Sequence, residues 1–218
     1  MNWKKEVFSS FKLYGVTDTC EDSKDILKKI DRAYAGGADI IQLRSKTLED
    51  GALYRLALRI RKIAERRKKL FFMNDRIDLA IAARADGVHL GQEDLPVGAA
   101  RQILSRARFS MWIGKSTHNA AQARMAQREG ADYIGVGPVF KTPTKPDYRP
   151  AGLAFVRQAA EQIQVPFVAI GGINLSNISS VLEAGARRIA VVRAIFEKEN
   201  PYEAAYELRK KIENAEKK

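Results

Sequence analysis

The polar residues able to do chemistry stand in short runs, each following an apolar stretch. In Gln42-Leu43-Arg44-Ser45-Lys46 the polar groups fall on every second residue, and in an extended chain that alternation sends Gln42, Arg44 and Lys46 to one side. Then come Asn74-Asp75-Arg76, His89 to Pro96 with Asp94 inside it, Ser116-Thr117-His118, and a longer run from Gly137 to Lys145. Gly171-Gly172-Ile173 and Val192-Arg193-Ala194-Ile195 complete the set. Asp75 and Asp94 suit magnesium, which is typically held by one or two carboxylates plus substrate phosphates; each could equally cap a helix. Arg44, Lys46 and Lys145, with the Thr142 and Thr144 hydroxyls, can face one shared anion, although Lys145 also reads as a solvated loop lysine. Gly171-Gly172 can offer backbone amides to a phosphate or simply make a tight turn. Together these groups describe a diphosphate substrate plus a second phosphate.

Other reactive side chains fit no such pattern. Cys20, the single cysteine, has neither His89 nor His118 near it in sequence and cannot form an internal disulfide, which fits a reducing cytoplasm. His89 lies in an apolar run and reads as a hydrogen-bonded interior residue. His118 is expected to begin a helix capped by Ser116 or Thr117. The two histidines lack zinc spacing, and Trp3 and Trp112 read as packing residues.

Eight short apolar stretches precede the polar runs: Leu13 to Val16, Ile40 to Leu43, Leu70 to Met73, Gly87 to Leu90, Met111 to Ile113, Tyr133 to Val136, Phe167 to Ile170 and Ile189 to Val192. Nearly continuous apolar runs mark parallel strands covered on both faces. Between them apolar residues recur at helical spacing, as in Leu53, Leu56, Ala57, Ile60 and Ile63. A last helix is expected from about Pro201 to about Asn214. Gly37-Ala38-Asp39, Ala85-Asp86-Gly87, Gly130-Ala131-Asp132 and Gly185-Ala186-Arg187 each stand just before a strand, the repeat that a cyclic array of strand–helix units produces. The expectation is α/β, a single (β/α)8 TIM barrel over residues 1–218, with 1–11 an N-terminal extension forming a short helix; an open doubly wound sheet is the alternative. In such a barrel the reacting groups sit where strands end, which is where the polar runs fall.

The chain's 218 residues suit one domain, and no linker or low-complexity tract divides it. A formal charge of +12 raises the question of nucleic acid. The basic residues gather in runs such as Arg66-Arg67-Lys68-Lys69, Lys28-Lys29 and Lys217-Lys218, read as helix ends rather than one basic patch, so their field is expected to draw in anionic small molecules. With no apolar leader between Met1 and Ser10 and no membrane-length run, a cytoplasmic protein is expected, bound neither to nucleic acid nor to membrane. Assembly into a homo-oligomer is left open.

From about Tyr14 to Ile195 the chain resembles the thiamine-phosphate synthase family. The resemblance is carried by Tyr14-Gly15-Val16-Thr17-Asp18, Gln42 to Lys46, Asn74-Asp75-Arg76-Ile77-Asp78-Leu79-Ala80, Ala85 to Pro96, Gly114 to His118, Gly130 to Phe140, Thr142 to Lys145, and Ala169 to Ile173. It implies a magnesium-dependent transferase that joins a hydroxymethylpyrimidine, supplied as its diphosphate, to hydroxyethylthiazole phosphate, releasing diphosphate. By position it implies that Gln42, Arg44, Lys46, Asn74, Ser116 and Lys145 contact the pyrimidine diphosphate, and that Asp75 and Asp94 hold Mg2+. Thr142, Thr144 and Gly172 would line the thiazole side, with backbone amides of Val192 and Arg193 at its phosphate. Arg44, Lys46 and Lys145 would stabilise charge growing on the leaving diphosphate. One departure stands out: Val192-Arg193-Ala194-Ile195 replaces the family's usual Val-Ser-Ala-Ile.

Two other readings compete. A thiazole tautomerase on the same fold would lack the diphosphate machinery of Gln42, Asn74, Asp75, Asp94 and Thr142 to Lys145. A non-catalytic phosphate- or nucleic-acid-binding protein would show no magnesium-dependent turnover.

Overall fold

In the computed structural model, which describes residues 3–18, 24–144 and 149–216, every apolar run expected to be a strand forms one. They are β1 (Leu13–Val16), β2 (Ile40–Leu43), β3 (Leu70–Asn74), β4 (Gly87–Leu90), β5 (Trp112–Thr117), β6 (Tyr133–Val136), β7 (Phe167–Ile170) and β8 (Ile189–Val191). All neighbours pair in parallel, and β1 pairs β8 through Leu13–Ile189 and Gly15–Val191, so the sheet closes into an eight-stranded barrel. That closure excludes the open sheet.

The helices are α1 (Trp3–Ser10), α2 (Lys24–Ala35), α3 (Asp50–Arg67), α4 (Ile77–Ala82) and α5 (Val97–Arg106). They continue with α6 (Ala120–Arg128), α7 (Gly152–Gln162), α8 (Ile178–Glu183), α9 (Arg193–Phe196) and α10 (Pro201–Glu216). The basic run after Glu65 does end α3, with Lys68 as its left-handed cap, whereas Lys28-Lys29 falls inside α2. Lys217-Lys218 lies outside the described residues.

β3 runs one residue further than expected, to Asn74, and β8 stops one short, at Val191; the larger departure is β5, which continues through Gly114-Lys115-Ser116-Thr117 in register with Tyr133 to Val136. Ser116 and Thr117 are therefore strand residues, and the helix that follows is capped by Asn119, whose side chain accepts from Gln122 N at 3.0 Å. Pairing with β4 as far as Lys115 and with β6 through Thr117 holds a polar strand that apolar periodicity alone does not reveal.

Strand alternation divides the core. Tyr14, Ile40, Leu70, Phe72, Tyr133, Val168 and Ala190 fill the lumen, while residues such as Ile41, Phe71, Val88 and Ile113 pack outward against the helices. Helix α1 closes the lumen from below: Phe8 stacks on Trp112 with centroids 4.4 Å apart, and Trp3 and Val7 pack on the same cluster.

The repeated Gly-Ala-Asp joint also has a physical role. Asp39 Oδ2 accepts from Lys12 N at 2.9 Å, Asp86 Oδ2 from Phe71 N at 2.9 Å, and Asp132 Oδ2 from Ile113 N at 2.6 Å. In each case the carboxylate before an even strand holds the backbone where the preceding odd strand begins. Each is balanced by cations: Asp39 by Lys69 and Arg209, Asp86 by Lys4 and Arg61, Asp132 by Arg101. These clamps fix the bottom of the barrel, away from the strand ends that carry the polar runs.

Candidate active site

The strand ends on the opposite side from α1 enclose a pocket of about 670 Å3. It is lined by twelve of the residues singled out in the sequence: Gln42, Arg44, Lys46, Asn74, Asp75, Asp94, and on the facing wall Ser116, Thr142, Thr144, Gly172, Val192 and Arg193. Lys145 and Cys20 lie outside the described residues.

Gln42 and Arg44 share a face as the alternation of β2 dictates, and they are only 4% and 8% exposed. Arg44 is set by its own backbone: Arg44 N donates to Thr17 Oγ1 and Thr17 Oγ1 donates to Arg44 O, both at 2.9 Å. Its guanidinium pairs with Asp18. Lys46 lies past the strand end, exposed on the pocket rim.

Asp75 and Asp94 follow β3 and β4, and their carboxyls are close neighbours. Asn74 Nδ2 donates to Asp75 Oδ2 at 2.5 Å, and Gly91 N donates to Asp94 Oδ2 at 2.6 Å. Burial, then the neighbouring Asp94, push the Asp75 carboxyl up to about 7, with Arg44 opposing. Asp75 also sits at φ 58°, left-handed backbone that aspartate and asparagine adopt more readily than most side chains. Asp75 caps no helix; Arg76 occupies the N-cap position of α4. Two carboxylates that repel when both are ionised fit a divalent cation placed between them. Among the described residues no group of three or more histidine, cysteine or acidic side chains gathers into a fuller ligand set, so any ion would draw its remaining ligands from substrate and water.

Lys115 was missed in the sequence, because it points outward from β5 between apolar neighbours. It is 7% exposed, and its ammonium donates to Gly91 O at 2.6 Å and Leu95 O at 3.4 Å. Burial pushes its ammonium down from the ordinary lysine value, while Asp94 opposes. Lys115 thereby holds the loop that carries Asp94. Gln92, from the same loop, donates to Ser116 O.

On the other side, Gly171 and Gly172 both take positive φ, 104° and 65°. A Cβ on Gly172 would stand 2.7 Å from Lys141 O, so the glycines let the turn after β7 press against the loop after β6. Thr144 Oγ1 is buried there and has no hydrogen-bond partner among the described residues, as expected of a group awaiting a ligand oxygen. Arg193 is 44% exposed and its Nε pairs with Glu197 at 3.1 Å, one turn along α9. A protein carboxylate is thus a third partner beside the phosphate or water that an arginine at this apolar strand end requires.

The expected hydrogen-bonded histidine is His89: its Nδ1 is 2.8 Å from Tyr133 Oη and its Nε2 is 2.9 Å from Ser116 Oγ. His118 precedes α6 and hydrogen-bonds Gly137 O through Nδ1. Among the described residues no helix is long and apolar enough to cross a membrane.

Comparison with known proteins places this geometry. The family described as thiamine monophosphate synthase matches residues 13–195. A thiamine-phosphate synthase of Thermus thermophilus is 49% identical over 187 residues, covering 85% of this chain and 88% of that protein. One from Synechococcus is 45% identical over 194 residues, 89% of this chain but 53% of the relative; the chain spans about half the length of the cyanobacterial relatives it matches. The solved thiamine phosphate pyrophosphorylase of Pyrococcus furiosus superimposes with a TM-score of 0.86 at 37% identity, covering 94% of this chain and 97% of that one.

Proposed function

The chain belongs to the thiamine monophosphate synthase family, and from that premise we propose that it transfers a hydroxymethylpyrimidine group from its diphosphate to hydroxyethylthiazole phosphate, forming thiamine phosphate. The observation that carries this reading is the meeting, in one pocket, of the Asp75–Asp94 pair with Arg44 and Lys46 on one wall and Thr142, Thr144 and Gly172 on the other. That is an acid-and-cation end for a diphosphate facing a hydroxyl-and-glycine end for a second phosphate.

Asp75 and Asp94 would hold Mg2+, which when bound neutralises diphosphate charge. Arg44 and Lys46 would bind the diphosphate and stabilise the charge that grows on it as the carbon–oxygen bond breaks, with Lys145 assigned the same task. Gln42, Asn74 and Ser116 would orient the pyrimidine, whose electron-donating amino group supports positive charge at its methylene. The thiazole nitrogen attacks with its own lone pair. A strong general base is not needed, which agrees with side chains that bind and orient rather than abstract a proton. Thr142, Thr144, Gly172 and the backbone amides of Val192 and Arg193 would seat the thiazole phosphate.

Incubation with both substrates and Mg2+, then oxidation of the product to fluorescent thiochrome phosphate, tests the reading. Fluorescence that requires both substrates and disappears with a chelator is expected. Its absence from folded protein overturns the proposal. Isomerisation of a thiazole phosphate without the pyrimidine would favour the tautomerase instead.

A further inference from the structure

A continuous chain of hydrogen bonds crosses the lumen at the pocket's inner end. Gln42 Nε2 donates to Tyr14 Oη at 2.9 Å, Tyr14 Oη lies 2.9 Å from Tyr133 Oη, Tyr133 Oη lies 2.8 Å from His89 Nδ1, and His89 Nε2 lies 2.9 Å from Ser116 Oγ. It joins β2, β1, β6, β4 and β5; Gln42, Tyr14, His89 and Ser116 line the pocket, and Tyr133 alone does not. The packing around it leaves room for little else. A Cβ on Gly114 would stand 2.2 Å from the Tyr133 ring, and one on Gly135 would stand 3.3 Å from His89 Cε1.

The direction of the chain follows from donor counting. Gln42 gives a hydrogen to Tyr14, so the Tyr14 hydroxyl needs an acceptor of its own, and the adjacent Tyr133 oxygen is placed to be it. Tyr133 in turn gives its hydrogen to His89 Nδ1. The neutral ring then carries its hydrogen on Nε2 and gives it to Ser116 Oγ. Ser116 keeps its own hydrogen for the pocket. Running the chain backwards would require the Gln42 amide turned over, so that its Oε1 rather than Nε2 faces the Tyr14 hydroxyl. Burial pushes both tyrosine hydroxyls well above their ordinary range, so both keep the hydrogens the chain requires.

We propose that Tyr14, Tyr133 and His89 form a one-way hydrogen-bond relay that fixes His89 as the Nε2–H tautomer and leaves Ser116 facing the pocket as a donor, ready for an acceptor atom on the ligand. Tyr133, which does not line the pocket, is then a positioning residue that acts through His89 and Ser116. The link to catalysis rests on the transferase reading above; the tautomer does not.

The test is a long-range 1H–15N spectrum of the ligand-free protein at neutral pH. Only two histidines contribute, and His89→Gln assigns the ring. A single Nε2–H tautomer is expected; an Nδ1–H tautomer or a doubly protonated ring overturns the relay, and this wild-type measurement decides even if a variant fails to fold. Tyr133→Phe is expected to release the fixed tautomer, while Tyr14→Phe keeps it because Tyr133 can still donate. An unchanged His89 signal in Tyr133→Phe also overturns the relay. In turnover, Tyr133→Phe and Ser116→Ala should each lower kcat/KM about tenfold, and the double variant by no more than about tenfold. Losses that multiply would show that Tyr133 does not act through Ser116. If the wild type turns nothing over, the transferase reading falls and the tautomer alone decides the relay.

Discussion

The carboxyl groups of Asp75 and Asp94, on the loops after β3 and β4, are close neighbours, and Asp75 is held up to about 7 by burial and then by that neighbour. Such a raised carboxyl stabilises the fold most fully below its unfolded value and loses that contribution as pH rises through 7. Without divalent metal, Asp75→Asn, which stays neutral, should therefore raise the melting temperature by several degrees at pH 8 and by almost nothing at pH 4. The gain is on the order of 2 kcal/mol, reduced for solvent screening at this partly exposed site. Equal gains at both pH values would show that proton binding at Asp75 is not the cause.

Magnesium should act on the same pair. Binding needs both carboxylates ionised, so Mg2+ should raise the melting temperature more at pH 8 than at pH 5, and Asp75→Asn or Asp94→Asn should abolish both that rise and turnover. Asparagine is the better probe at position 75, because φ 58° tolerates it whereas alanine there adds roughly 1–2 kcal/mol of strain. Wild-type turnover by either variant at limiting Mg2+ removes the ligand assignment.

Lys115→Met should keep the barrel and loosen the loop from Gly91 to Leu95, since methionine fills the space without donating to the two carbonyls. The expected result is faster amide hydrogen exchange across that loop and about tenfold weaker Mg2+ binding. Unchanged exchange would mean that Lys115 does not hold the loop.

Asp86 is 3% exposed in its side chain and binds Phe71 N, Lys4 and Arg61. Asp86→Ala leaves the Phe71 amide without its acceptor and takes one of two carboxylates from Arg61, which keeps Glu65; the cost is about 1–3 kcal/mol. Chemical denaturation should record that loss, while KM for both substrates stays near wild type because the clamp lies at the far end of the barrel.

Arg193 can leave Glu197 cheaply, since an exposed ion pair is worth about 0–1 kcal/mol. A phosphate dianion should recapture it through a bond worth about 1.5–3 kcal/mol. Arg193→Ser is then expected to raise KM for the thiazole phosphate about tenfold with kcat and the Mg2+ response unchanged. A KM within about twofold of wild type would show that the guanidinium stays with Glu197.

The sequence by itself determined the barrel and the end at which its polar residues gather. Those are local properties: apolar runs such as Ile40 to Leu43 are buried on both faces, Gly-Ala-Asp joints repeat, and strand alternation aims Gln42 and Arg44 inward. The position of Asp75, Asp94, Thr142 and Thr144 around one pocket was likewise legible, because each lies in the loop after a strand whose end must point that way. The tertiary structure decided what depends on chain closure. β5 runs on through Lys115, Ser116 and Thr117 only because β6 pairs it to its end, with β4 beside it as far as Lys115. Lys115 reaches Gly91 O across a neighbouring strand end, and Arg193 finds Glu197 once α9 has turned. The line from Gln42 through Tyr14, Tyr133 and His89 to Ser116 joins five strands spread across the whole sequence. Apolar periodicity reports which face a residue takes; only the closed barrel brings those faces within hydrogen-bonding distance of one another.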